Sequence, residues 1–290
     1  MLRQILKTMR PRQWAKNGFL FAALVFDRQL LSPLPLLRTV AGFGLMCLAS
    51  GLVYVINDLV DLPNDRQHPT KRLRPLAAGS LAPRSAVGAA IVLSVVTLAG
   101  SFDLGLRFGL IVLTYVASNL LYSFWLKHVP IIDVMLVASG FVLRVGAGVV
   151  LLTVERFSPW LYVCMTLLAL FLGFGKRRAE LVLLADGANS HRRVLDGYTI
   201  PLLDQLIVIV SATTLMAYSL YTFSAINLPA NHTMMLTIPF VVYAIFHYLH
   251  LIHVEGAGGA PEELLLTDRP LLATIFLWGL AVVAILYLGQ

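Results

Sequence analysis

About nine apolar runs, each near the length that crosses a bilayer, alternate with short polar segments along this chain. They fall at roughly 14–31, 36–57, 84–102, 105–125, 131–152, 159–175, 200–225, 233–250 and 270–288. A spanning helix needs about 20 predominantly apolar residues. The pattern therefore predicts an all-α, polytopic membrane protein, with one domain over residues 1–290. The longest polar segments are 58–83, 174–199 and 251–269, long enough to carry function. The first two are rich in Lys and Arg. The third is Gly-rich and acidic (Glu255, Glu262, Glu263) and reads as a connector. The two basic loops lie about three to four helices apart, which suggests one charged loop per half. The similarity between the halves is too slight to establish a repeat.

Composition sharpens the class. The chain is 58% hydrophobic and only 13% charged, where a soluble domain carries about 25% charge. Most of the 22 Lys and Arg fall on the side that holds the N-terminus. The positive-inside rule then puts the N-terminus in the cytoplasm; the expected location is the plasma (inner) membrane, multi-pass. Met1–Arg12 is basic and amphipathic and lacks a small-residue cleavage site. It reads as an interfacial helix, not a cleaved signal. Cys47 and Cys164 lie inside apolar runs and make neither a disulfide framework nor a metal motif. A net charge of +7 suits anionic lipid and phosphate. The basic residues cluster at membrane edges, which argues against nucleic acid as a partner.

Chemistry concentrates in the first basic loop. On a helix, residues three and four apart share a face, so Tyr54, Asn57, Asp58 and Asp61 form one stripe at a membrane edge. Pro63 should end that helix near Leu59–Leu62, leaving Asp65 on the loop, facing back. Carboxylates are disfavoured at a helix C-terminus, so this set calls for a cation. Mg²⁺ prefers oxygen ligands and shares them with substrate phosphates. Lys71, Arg72 and Arg74 follow at once and suit phosphate, beyond their plainer reading as membrane-edge anchors. Together these residues indicate a membrane enzyme acting on a diphosphate.

Other polar positions are less specific. The second basic loop opens with Gly175-Lys176-Arg177-Arg178-Ala-Glu180 and continues through Arg192, Arg193, Asp196 and Tyr198. Tyr122, Lys127 and Asp133 surround a short connection. Arg144 sits mid-span among glycines, and an ionisable residue at that depth faces a cavity or a partner. Lys16 and Asn17 open the first run, after an interfacial Trp14. His247, His250 and His253 repeat every third residue and read as interfacial histidines, lacking the thiol or carboxylate spacing of a zinc site.

Asn57-Asp58-x-x-Asp61-x-x-x-Asp65 resembles the first Asp-rich motif of the UbiA superfamily of intramembrane prenyltransferases. The helix number and the two charged loops agree, and the resemblance covers essentially the whole chain. Arg10-Pro-Arg-Gln-Trp14-x-Lys16-Asn17, the stretch from Lys127 through Asp133 to Arg144, and Gly175–Glu180 resemble the branch that moves phosphoribosyl groups onto polyprenyl phosphates. The superfamily's second Asp-rich motif is replaced here by Lys176-Arg177-Arg178-Ala-Glu180, which implies a lipid monophosphate acceptor. The reaction so implied is transfer of 5-phosphoribosyl from phosphoribosyl diphosphate to a polyprenyl (decaprenyl) phosphate, for cell-wall arabinan and arabinogalactan synthesis. The resemblance implies Asp58, Asp61 and Asp65 as catalytic, with Mg²⁺ as cofactor on Asn57, Asp58 and Asp61. It implies donor contacts from Lys16, Asn17, Tyr54, Lys71, Arg72 and Arg74, and lipid-phosphate contacts from Lys127, Arg144, Lys176 and Arg177. The enzymatic alternative is prenyl transfer to an aromatic acceptor, which would want carboxylates in the second loop. A transporter would want charges along a mid-membrane path, and only Arg144 qualifies. Assembly as a homo-oligomer stays open.

Overall fold

The computed structural model describes residues 1–152, 158–185, 193–259 and 261–288, and its regular structure there is helical. The α-helices are α1 (Leu2–Thr8), α2 (Phe21–Phe26), α3 (Pro33–Val60), α4 (Leu62–Gln67), α5 (Pro83–Leu104), α6 (Leu106–Phe124), α7 (Ile132–Leu151), α8 (Pro159–Ala185), α9 (Ile200–Ser224), α10 (Ile238–His253), α11 (Pro261–Thr267) and α12 (Arg269–Leu288). Eight helices among the described residues are long and apolar enough to span a membrane: α3, α5 to α9, α10 with its leading 3₁₀ turn, and α12. Their outer faces are apolar and exposed, as Val87, Ile91, Val92 and Val95 of α5 illustrate. Lipid covers such surfaces.

The predicted first span, 14–31, is not one. It is a 3₁₀ helix (Pro11–Leu20) followed by the short α2. Only Phe19–Phe26 is continuously apolar; Lys16, Asn17 and Gly18 precede it, and Asp27 and Arg28 follow. That is too short to cross, so the segment packs inward instead, with Leu20, Ala23 and Leu24 fully buried. A Cβ on Gly148 of α7 would stand 2.0 Å from the Leu20 carbonyl oxygen. Only glycine admits that backbone-to-backbone approach.

The second basic loop also differs from expectation. α8 does not end near residue 175 but continues to Ala185, so Lys176–Glu180 are helical. Gly173 and Gly175 do not stop it. They allow close packing, with Val134 and Tyr248 respectively against the positions their Cβ atoms would take. The first loop holds more structure than expected as well. α3 stops at Val60 and α4 starts at Leu62, with Pro63 in its first turn, where its missing N–H costs nothing.

Contacts divide the chain into two units, Met1–Phe124 with Leu143–Val154, and Trp125–Val142 with Glu155–Gln290. The first unit has a core of Leu20, Met46, Leu52, Phe108, Val112 and Ala147, and a smaller one around Met9, Val55, Leu76 and Leu81. The second packs Val134, Phe171, Leu203, Ile207, Tyr248 and Leu271. In lipid such cores cohere by close packing and interhelical hydrogen bonds, because the surroundings are as apolar as leucine.

Candidate functional site

Among the described residues, each unit carries a buried carboxylate–guanidinium cluster. In the first unit the stripe on α3 ends at Asp58, which is 2% exposed. A carboxylate so placed needs partners, and two guanidinium groups supply them. Arg10 Nη2 lies 2.6 Å from Asp58 Oδ1, and Arg74 Nη1 lies 3.2 Å from the same oxygen. Arg74 Nη1 also bonds Asp65 Oδ2 at 2.6 Å. Asp65 is therefore in the cluster as expected, but from α4 and not from a loop. Its position follows from Pro63, which starts a new helix directly after α3 and turns Asp65 back. Asp61 is the residue between the two helices. Its N–H bonds the Asn57 carbonyl at 2.9 Å, and its own carbonyl accepts from Asp65 N–H at 2.8 Å.

Arg10 also lies over the Tyr54 ring, 4.6 Å from its centroid. Tyr54 and Asp58 are one helical turn apart, so both meet the same guanidinium. The sequence reading gave Arg10 no role of its own; its only signal was its place in the N-terminal motif. Lys71 and Arg72 stand on an exposed 3₁₀ turn, Lys71–Leu73, and their side chains make no ion pair among the described residues.

The Asn57 side-chain oxygen is buried without a hydrogen-bond partner. Among the described residues, no three His, Cys, Asp or Glu gather closely enough to hold a metal by themselves. Mg²⁺, however, is usually bound by one or two carboxylates, with substrate phosphates and water completing the shell. One or two of Asp58, Asp61 and Asp65, with the unused Asn57 oxygen, would make an all-oxygen donor set of that kind. The residues fit a substrate-completed Mg²⁺ site.

Asn17 and Arg144, expected at donor and lipid phosphate respectively, bond each other. Arg144 Nε donates to Asn17 Oδ1 at 2.7 Å and Nη2 donates to the Tyr115 hydroxyl at 2.8 Å. The guanidinium also lies 4.9 Å from the Tyr115 ring centroid. Ser50 Oγ donates to Asn17 Oδ1, and Asn17 Nδ2 reaches Cys47 Sγ, both at 3.3 Å. Tyr115 and Ser50 carried no sequence signal.

In the second unit Arg177 is 4% exposed. Its Nε donates to Asp133 Oδ2 at 2.7 Å, and its Nη1 donates to Glu180 one turn along α8. The Tyr198 hydroxyl donates to Asp133 Oδ1 at 2.7 Å and accepts the Ile131 N–H at 2.5 Å. Burial, with Asp133 beside it, pushes the Tyr198 phenol above its ordinary range, so it remains a donor. Gly197 makes this docking possible: a Cβ there would stand 2.2 Å from Pro130 Cγ. Lys176 is half-buried and makes no ion pair among the described residues, while Arg178 bonds Asp204 at 2.6 Å. Lys127 is half-buried on the 3₁₀ turn Leu126–His128. The three histidines face three different carboxylates: His247 with Asp268, His250 with Glu255 and His253 with Asp204. Arg192 lies outside the described residues.

An all-α membrane fold with buried carboxylate–guanidinium clusters sets the class, and the chain belongs to the UbiA prenyltransferase family, whose family model matches residues 18–257. Among named relatives it is similar to decaprenyl-phosphate phosphoribosyltransferase of Corynebacterium glutamicum, at 32% identity over 98% of this chain and 87% of that one. It is also similar to the protein of the same name from Mycobacterium tuberculosis, at 33% identity over 94% of this chain and 91% of that one. In fold it is similar to a UbiA homolog from Archaeoglobus fulgidus bound to GPP and Mg²⁺, with a TM-score of 0.72 at 20% identity, covering 97% of this chain and 99% of that one.

Proposed function

We propose that this protein transfers the 5-phosphoribosyl group of phosphoribosyl diphosphate to a polyprenyl phosphate, decaprenyl phosphate by likeness to its relatives, and releases diphosphate. The observation that carries the proposal is similarity over nearly the full chain to two phosphoribosyltransferases acting on decaprenyl phosphate. The reading sets the protein in the plasma membrane with its N-terminus in the cytoplasm, where the donor is made, and in the synthesis of cell-wall arabinan precursors.

In the reaction, the bond from C1 of the ribose to the leaving diphosphate breaks. An oxygen of the lipid phosphate forms the new bond to C1, which carries oxocarbenium character in between. Asn57, Asp58, Asp61 and Asp65 would hold Mg²⁺, which when bound stabilises charge on the departing diphosphate. Arg74 bonds donor phosphate from beside Asp58 and Asp65. Lys71 and Arg72, exposed and uncommitted, close on the 5-phosphate, and Lys16 and Tyr54 line the donor. The acceptor phosphate is already an anion, so no strong general base is required. Lys176 and Lys127 supply its counter-charge. Arg177, held by Asp133 and Glu180, fixes the turn of α8 that presents Lys176. Catalysis rests on positioning and electrostatic stabilisation.

The test is a reconstitution of purified protein, Mg²⁺, polyprenyl phosphate and radiolabelled phosphoribosyl diphosphate. Labelled lipid and free diphosphate are expected in equal amounts. No labelled lipid from well-folded protein would overturn the reading.

A further inference from the structure

Arg10 is one of four non-glycine residues with positive φ among the described residues. Its φ is 53°, in the left-handed region that a non-glycine residue adopts only at a cost. Three contacts hold the backbone there. Its guanidinium bonds Asp58 and covers Tyr54. The preceding Met9 is buried so tightly that a Cβ on Gly51 of α3 would meet it at 2.6 Å. Pro11 follows and opens the 3₁₀ helix. The N-terminal segment is thus clamped onto the last turns of α3 with Arg10 aimed at the carboxylates.

Arg10 and Arg74 share one oxygen of Asp58. Two cations repel each other in such an arrangement, and only the carboxylates between them make it tolerable. Counted with Asp65, the set is neutral: two carboxylates and two guanidinium groups. A divalent cation added alone would leave the cluster with a surplus of positive charge. A diphosphate added with it would remove the surplus. Guanidinium groups bind phosphate oxygens in the same forked geometry in which they bind carboxylates.

We propose that Arg10 is a further donor-binding residue, held on Asp58 until Mg²⁺ takes the carboxylate and then turned, with Arg74, onto the donor's diphosphate. The inference rests on the donor site proposed above. It makes Arg10 a competitor of the metal when the donor is absent and a ligand of the donor when the metal is present. The two effects have opposite signs, which a purely structural Arg10 would not produce.

The test uses the full chain in detergent, with Mn²⁺ binding read by electron paramagnetic resonance and donor binding read by filtration with labelled phosphoribosyl diphosphate. Arg10→Ala should bind Mn²⁺ about tenfold more tightly than the parent chain without donor, and bind donor about tenfold more weakly with Mg²⁺, as loss of one charge-assisted bond implies. Arg10→Lys should fall between, and Arg12→Ala, at an exposed neighbour, should match the parent in both. Circular dichroism establishes that the variants are folded, and Arg10→Lys alone suffices if Arg10→Ala is not. Mn²⁺ affinity unchanged or lowered in the variants would overturn the assignment of Arg10. A parent chain that binds no Mn²⁺ even with donor would overturn the metal site itself, and the Arg10 assignment with it.

Discussion

Arg177 Nε donates to Asp133 Oδ2 at 2.7 Å across 44 residues of sequence, and neither side chain is more than 4% exposed. Removing either charge leaves the other in a poorly solvating interior without this partner, which typically costs about 3–5 kcal/mol. Arg177→Met and Asp133→Leu should each lower Tm sharply, while the double substitution recovers most of the loss. Thermal unfolding followed by helical content checks this. Single variants as stable as the double would show that the pair is solvated.

Tyr198 supports the same pair. Tyr198→Phe keeps the ring but removes the donor to Asp133 Oδ1, at an expected cost of about 1–3 kcal/mol near neutral pH. Because the phenol's pKa is raised in the folded protein, its contribution is complete below the ordinary phenol value of about 10 and declines as pH rises beyond it. The stability gap between parent and Tyr198→Phe should therefore be constant from pH 7 to 9 and narrow above pH 10. A gap that widens with pH would contradict the hydrogen-bond assignment.

The oxygen ligands proposed for Mg²⁺ should be needed for turnover more than for folding. Asn57→Ala and Asp61→Ala are expected to leave a folded chain with turnover nearly abolished, and chelation of Mg²⁺ to do the same. Mg²⁺ tolerates little change in ligand geometry, so partial rescue by another metal is not expected in either variant. Turnover close to normal in thoroughly chelated enzyme would remove the metal from the mechanism.

Lys176 is the uncommitted cation of its helical turn among the described residues. Lys176→Ala should raise KM for polyprenyl phosphate by about tenfold, as loss of one ionic contact implies, and leave KM for phosphoribosyl diphosphate within about twofold. Titrating the two substrates separately checks the split. A change confined to the donor would exchange the two phosphate sites.

The exposed turn Lys71–Leu73 offers a binding assay without catalysis. Phosphoribosyl diphosphate with Mg²⁺ should protect the bonds after Lys71 and Arg72 from trypsin, because a donor with phosphate at both ends engages this turn; Arg74 precedes Pro75 and offers trypsin no site. Geranyl diphosphate, charged at one end, should protect them poorly. The opposite order, with prenylation of an aromatic acid, would favour prenyl transfer instead.

Local pattern determined the membrane class, most of the spans and the Asp stripe on α3. A bilayer demands about 20 apolar residues per crossing, and a helix brings residues three and four apart together whatever surrounds it. The break at Pro63 is local in the same sense, because a proline ring limits the residues beside it. The tertiary structure decided what those rules leave open. Residues 14–31 fold inward, because their apolar run is too short to span and other helices offer it a buried place. Gly173 and Gly175 serve packing and do not end α8, which depends on the neighbours that fill the space. Above all, packing chose the partners of the charges: Arg10 with Asp58, Arg177 with Asp133, and Arg144 with Asn17 from 127 residues away. A buried charge must be satisfied, but its own sequence neighbourhood says only that a partner is needed. Which carboxylate, amide or phenol meets it depends on how distant helices pack.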